Sequence, residues 1–502
     1  MKKRQRALVL GGGGAVGAYQ AGVLKILCKR LIDEDKRKWD NSRDYDHDGK
    51  SLLFDIIAGT SIGAMNGAVL LSQYLRTGSW ETAVEQLEHF WTDKEKGLAS
   101  TVSEEDLKKV VGWGNWQEQS NKGTLGIASA EAARRYYSVI HYFFNGASKV
   151  HECIDPPRGD SRFFYPLNSW YIHKPDRLKN TILNFAQHKI ATSHWNNQPR
   201  LLVFSVDVAE GKTVTFDSYH KGDGSRKSEQ STYKTGKNGG HGNDMIKNNK
   251  NSNSNSNSDH YKGVSIDHVM ASGTLPEFYD YKEIDGRKFW DGGLLSNTPF
   301  RELLQAHQEY WLSVVTSQTG KEGNSNNNIC IPDLEVYIVN LHPSKREDLP
   351  TDYDVVKDRE NDILFGDRSS HYDEKMTYLV ADLRDFAAQM KNLSAEAISK
   401  VTEGSDKKEL QKKFDDILGK ITTTACNKGF NDNSSSEQNS TYDDLLNGQY
   451  RITKVVRIER GERADYDYYA DSISGKSGDF TAKTIAGLIE EGKRDAMNAT
   501  LV

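Results

Sequence analysis

The stretch "LVLGGGGAVGAYQAG", residues 8–22, is an apolar run that stops at four glycines and resumes as small, helix-forming residues. A strand that breaks at glycine and restarts as a helix leaves bare backbone N–H groups at the helix N-terminus, a ready place for an anion. Two anions fit it. Gly12, Gly14 and Gly17 satisfy the G-x-G-x-x-G spacing of a turn that receives a dinucleotide pyrophosphate. The same donors suit the smaller, transient oxyanion of a tetrahedral acyl-transfer intermediate. The glycines alone do not separate the two.

Outward from this turn, Val23, Leu24, Leu27, Leu31 and Ile32 recur at helical spacing and predict a helix over 17–38. A polar loop, 40–50, leads to a second buried strand, "LLFDIIAG", then to "GTSIG" and a helical "AMNGAVLLSQYL". Strand, glycine turn and helix thus occur twice, which predicts an α/β fold on a parallel sheet. "RLLVFSVDV" (200–208) and "TVTFDS" (213–218) read as a strand pair, and "LEVYIVNLHP" (334–343) as a further central strand. Residues 350–424 read as charged helices, and "YRITKVVRIER" with a helix over 479–496 closes the chain. The polar, low-complexity residues 219–262 are expected to be a disordered insertion, since they hold too little apolar surface to order themselves.

The 502 residues carry 66 Lys and Arg against 71 Asp and Glu, a net charge of -5, which is no nucleic-acid footprint. Cys28, Cys153, Cys330 and Cys426 are widely spaced, so neither a zinc site nor a disulfide scaffold is expected, and a reducing compartment is. The start "MKKRQRALVLGGGG" has too few apolar residues for a signal peptide, and no stretch is apolar enough for a membrane span. These readings predict a cytoplasmic protein, with any membrane contact peripheral.

Gly59-Thr60-Ser61-Ile62-Gly63 is a G-x-S-x-G turn between a buried strand and a helix, the setting in which a serine hydroxyl is lifted clear of a sheet as a nucleophile. The competing reading is that Ser61 caps the helix. The dinucleotide alternative weakens here, because it needs an acid at the end of the second strand to hold a ribose, and that strand ends in Gly59-Thr60-Ser61. A serine nucleophile needs a base. "FWDGGLLSNTP" offers Asp291, with Gly292 and Gly293 permitting a tight turn that aims the carboxylate inward, although a D-G-G by itself is first a turn.

G-G-G-x-x-G, G-T-S-x-G-A and D-G-G in this order resemble the patatin-like phospholipase family, as does "DHVMASGTLPEFYDYKEIDGRKFWDGGLLSNTP", over about residues 5–345. The resemblance implies a three-layer α/β/α sandwich with a mainly parallel central sheet over 5–345; the pattern beyond it predicts a mostly helical region, 346–502, with a terminal strand and helix. It further implies a cofactor-free acyl-ester hydrolase of lipids, with Ser61 as nucleophile, Asp291 as base and Gly12, Gly13 and Gly14 as the oxyanion hole. Ser61 would attack an ester carbonyl while Asp291 takes its proton and returns it to the leaving alkoxide, with no histidine required. One position departs from the family: Val16 stands where Arg or Lys is frequent, and a cation there would attract an oxyanion or a lipid phosphate.

Aromatic residues between Trp113 and Tyr171 read either as a cap over acyl chains or as ordinary core. Asp44, Asp46, Asp48, Gly49 and Asp55 echo a calcium loop, but Asp replaces its bidentate Glu and Ser51 an apolar residue, so no metal site is expected. Two rivals to the hydrolase stand beside it: a nucleotide-binding Rossmann-type protein, and a catalytically silent lipid-binding scaffold.

Overall fold

In the computed structural model the described residues, apart from a few isolated positions, are 4–41, 52–99, 149–153, 173–219, 263–319, 331–345, 353–367, 370–400, 450–461 and 478–501. The low-complexity insertion, the calcium-like loop before Leu52, most of the aromatic segment and the helices expected after 400 lie outside them.

The sheet strands are β1 (Arg4–Leu10), β2 (Ile56–Thr60), β3 (Arg200–Asp207), β4 (Lys212–Asp217), β5 (Lys282–Ile284), β6 (Arg287–Asp291), β7 (Asp333–Asn340) and β8 (Ile452–Glu459). They pair in the succession β8-β7-β1-β2-β3-β6-β5, with β4 also on β3. β1, β2 and β3 run parallel, and β4 to β6 join antiparallel. With its helices this mixed, mostly parallel sheet is the expected three-layer α/β/α architecture. The parallel strands are near-continuous apolar runs buried on both faces, as a helix-covered sheet requires.

The helices are α1 (Ala18–Asn41), α2 (Ile62–Thr77), α3 (Trp80–Thr92), α4 (Asp176–Leu183), α5 (Ile266–Ser272), α6 (Phe300–Thr319), α7 (Tyr353–Phe365), α8 (Ser370–Ser399) and α9 (Ala482–Asn498). Among the described residues no helix is long and apolar enough to cross a membrane. The chain divides into two compact units. The larger comprises Arg6–Leu303, Val336–Arg368 and Val455–Val502, and the smaller Met1–Gln5, Leu304–Glu335 and Ser369–Lys454. Within the larger unit the last helix packs on the first: Tyr19 donates to Asp495 at 2.9 Å, and the Arg30 guanidinium donates to the carbonyls of Ala496 and Ala499 at 2.6 and 2.8 Å, satisfying the open end of α9.

The site is placed by strand register. The last paired residues of β1 and β2 are Leu10 and Gly59, so the two glycine turns leave the sheet side by side at its carboxyl edge. One edge of β3 carries β4 from Leu202 to Asp207. Its other edge carries β2 as far as Phe204, opposite Thr60, and then β6 from Ser205, opposite Asp291. β2 and β6 therefore meet end to end along one side of a single strand. Ser61 follows the end of one and Asp291 is the end of the other.

Candidate active site

Ser61 stands between β2 and α2 at φ 55°, ψ -125°, a conformation that L residues adopt only under constraint. Its N–H donates to Ser272 Oγ at 2.8 Å, and the Ser272 hydroxyl donates in turn to the Phe204 carbonyl at 2.5 Å, so α5 and β3 hold the strained peptide. The Ser61 carbonyl accepts from Ala64 and Met65 and starts α2. Its side chain makes no cap hydrogen bond. The hydroxyl instead lies close enough to the Asp291 carboxyl to favour its anion, so the capping role is not the one Ser61 fills.

Asp291 is 1% exposed. Its backbone N–H donates to the Thr274 carbonyl at 2.8 Å, and its Oδ1 accepts from Gly293 N–H at 2.7 Å, the tight turn that D-G-G promises. Burial pushes its carboxyl up to about 7, against the opposing pull of the Ser61 hydroxyl and the Gly293 N–H, which both favour the anion. A carboxylate of ordinary basicity is a poor base for a serine. One held near 7 is matched to a neutral-pH proton transfer.

The glycine turns interlock. A Cβ on Gly63 would collide with the Leu10 carbonyl, so only glycine lets the first turn of α2 rest against the end of β1. A Cβ on Gly12 would lie 2.5 Å from Asn297 Oδ1 and 2.8 Å from Ser61 Cβ, which places the loop directly beside the serine. Gly59 backs onto Gly63, Gly292 onto the Phe204 carbonyl, Gly293 onto Asn297, and Gly17 onto Ile62, whose Cγ1 is 2.6 Å from its Cβ position. Gly14, at φ 56°, opens the short turn Gly14–Gly17 that leads into α1.

Three residues that motif reading passed over complete the site. Asn297 accepts from Gly12 N–H at 3.1 Å, donates to the Gly12 carbonyl at 3.1 Å and to the Phe365 carbonyl at 2.7 Å. That bond engages the first donor of the loop and leaves the N–H groups of Gly13 and Gly14. His342 lies 3.4 Å through Nε2 from the Cβ position of Gly13, and its Nδ1 is 3.2 Å from Asp362 Oδ1. Ser272 is the third. Asn297 lies six residues after Asp291, and Ser272 lies in the stretch that leads up to it, without a motif of its own; His342 follows β7, remote from both turns in sequence.

Val16 is 1% exposed and belongs to the apolar core with Ile62, Trp91 and Tyr19. A side chain at position 16 therefore faces the core and not the anion, which corrects the expectation that a cation there would act on an oxyanion or phosphate. Leu294 and Leu295, by contrast, follow the Asp291 turn and are 41 and 55% exposed.

A sequence model of the patatin-like phospholipase family matches residues 8–304. No curated protein matches the chain. Among solved structures, the crystal structure of VipD from Legionella pneumophila is matched over 98% of this chain and 66% of that one, at 11% identity and a TM-score of 0.27. The family match spans both glycine turns and the D-G-G turn, so the chain belongs to the patatin-like phospholipase family, a family of lipid acyl hydrolases.

Proposed function

We propose that the protein is a serine acyl-ester hydrolase of lipids that works through a Ser61–Asp291 dyad. The observation that carries the reading is a serine on strained backbone whose hydroxyl acts on a neighbouring buried carboxylate, beside a glycine loop. Asp291 takes the Ser61 proton as Oγ attacks the ester carbonyl, and the N–H groups of Gly13 and Gly14 hold the oxyanion, with Gly12 steadied by Asn297. Collapse breaks the ester C–O bond, and Asp291 returns the proton to the leaving alkoxide. Water, deprotonated by Asp291, then attacks the acyl-serine; the bond to Oγ breaks, Asp291 returns the proton to Ser61, and the fatty acid leaves. The exposed Leu294 and Leu295 offer apolar surface to the acyl chain.

Fluorophosphonate labelling tests the reading, since the reagent needs an activated serine and mimics the tetrahedral intermediate. The label is expected on Ser61, absent in Ser61→Ala, and slowed about 100-fold or more in Asp291→Asn, which keeps the shape but cannot accept a proton. His342→Gln is expected to label within about threefold of the wild-type rate, because loss of a single general base costs far more than that. A label on another residue, or a His342→Gln defect equal to that of Asp291→Asn in a folded protein, would overturn the dyad.

A further inference from the structure

Among the described residues, the 30-residue α8 carries an exposed apolar stripe. Tyr372, Met376, Leu379, Leu383, Phe386 and Leu393 are each between 38 and 63% exposed. Met390 and Ala397 continue the series, so the spacing from 372 to 397 alternates four and three throughout. That is the 3.5-residue repeat of a coiled-coil seam, with Met376, Leu383, Met390 and Ala397 at a and Tyr372, Leu379, Phe386 and Leu393 at d. Ser370, Ser394 and Ile398 are buried, so a different side of the helix is covered and the seam residues are the exposed ones.

The narrowness and charge of the stripe indicate what covers it. A helix that lies on a lipid surface has a broad apolar face and a cationic polar one. Beside its two-in-seven seam α8 exposes one further large apolar side chain among the described residues, Tyr378, and it carries five carboxylates against three cations. A second copy of the same helix fits better, and in one orientation. Placed antiparallel about a twofold axis midway between Leu383 and Phe386, every a residue faces a d residue: Met376 with Leu393, Leu383 with Phe386, Met390 with Leu379, and Ala397 with Tyr372. The flanking g positions then pair Lys375 with Glu396 and Asp382 with Gln389, with no like charges opposed. In a parallel pair the spacing gives neither Lys375 nor Asp382 an opposite charge.

We propose that α8 is the seam of a homodimer, paired antiparallel with its copy through residues 372–397. The contact is isologous, so it closes at two copies.

The test is the solution mass of the full-length chain by light scattering across micromolar concentrations. Twice the 56.5 kDa of one chain is expected, falling to a single chain in Leu379→Asp/Leu383→Asp with the far-ultraviolet circular dichroism unchanged. Lys375→Glu and Glu396→Lys should each weaken the dimer about tenfold, since each turns two symmetry-related attractions into repulsions. The double exchange should restore it. Residues 375 and 396 are roughly 31 Å apart along one helix, so that rescue cannot arise within a chain. A chain that is monomeric throughout, a dimer that survives the two aspartates, or a double exchange that restores nothing would each overturn the proposal. So would a monomer that binds phosphatidylcholine vesicles and loses them in Leu383→Asp, which would make the stripe a lipid contact.

Discussion

Asn297 clasps Gly12 at both ends of its backbone, accepting from the N–H and donating to the carbonyl, each at 3.1 Å. The third bond of the side chain, to the Phe365 carbonyl, ties the clasp to the end of α7. The first glycine of the loop is therefore a braced residue, and the brace sits beside the serine.

Asn297→Ala removes that brace without adding bulk. Leaving a buried N–H and carbonyl unanswered costs about 1–3 kcal/mol, so kcat toward a soluble ester should fall about 10- to 100-fold with KM little changed. Gly12→Ala should be worse, because its Cβ would press on Ser61 Cβ. Steady-state kinetics of the two variants check this, and an Asn297→Ala enzyme with full kcat would count against the brace.

The buried Asp291 couples activity to pH. The base form is the anion, so kcat/KM should rise with pH and level off, with a midpoint near 7. Stability should move the other way. The carboxyl is held at about 7 against an ordinary 3.8, so the folded state binds the proton more tightly; the stabilisation from protonated Asp291 is full below about pH 4 and lost as pH rises through 7. By alkaline pH the loss is of order ~4 kcal/mol. Asp291→Asn should therefore melt several degrees above the wild type at pH 8.5, with the gap closing toward pH 4.5. Parallel melting curves for the two proteins across that range would contradict the burial of a titrating charge.

Val16→Arg should fail to fold well. The position is 1% exposed within the core, where an unpaired cation costs several kcal/mol. Little soluble protein, or a melting temperature lower by many degrees, is the expected result. A well-folded variant with altered preference for phosphate-bearing lipids would show that the side chain reaches the site.

The insertion should be dispensable. Its two ends are pinned to one short segment: Tyr219 bridges Thr192, and Val264 pairs with Ile190. Replacing 221–261 by a short Gly-Ser linker closes a gap the fold already holds nearly shut, and loop length adds only slowly to closure entropy. Melting temperature and esterase activity should stay close to those of the intact chain, and loss of activity in a folded deletion would make the segment functional.

What the sequence by itself determined was everything carried by local chemistry. Two apolar strands ending in glycine turns predict parallel strand–turn–helix units, since only glycine tolerates the close approach that Gly63 makes to Leu10. G-x-S-x-G between strand and helix likewise announces the strained Ser61, and D-G-G the turn that Asp291 closes on Gly293. The tertiary structure decided what depends on pairing between distant segments. Ser61 and Asp291 come together because β2 and β6 share one edge of β3, meeting between Phe204 and Ser205, and no motif encodes a register. The same holds for Asn297 on Gly12, Ser272 beneath Ser61, and Val16 turned into the core. Periodicity says that a side chain lies on a face, but only packing against the rest of the chain says whether that face is covered, which is why the repeat along α8 is written in the sequence while its exposure came from the fold.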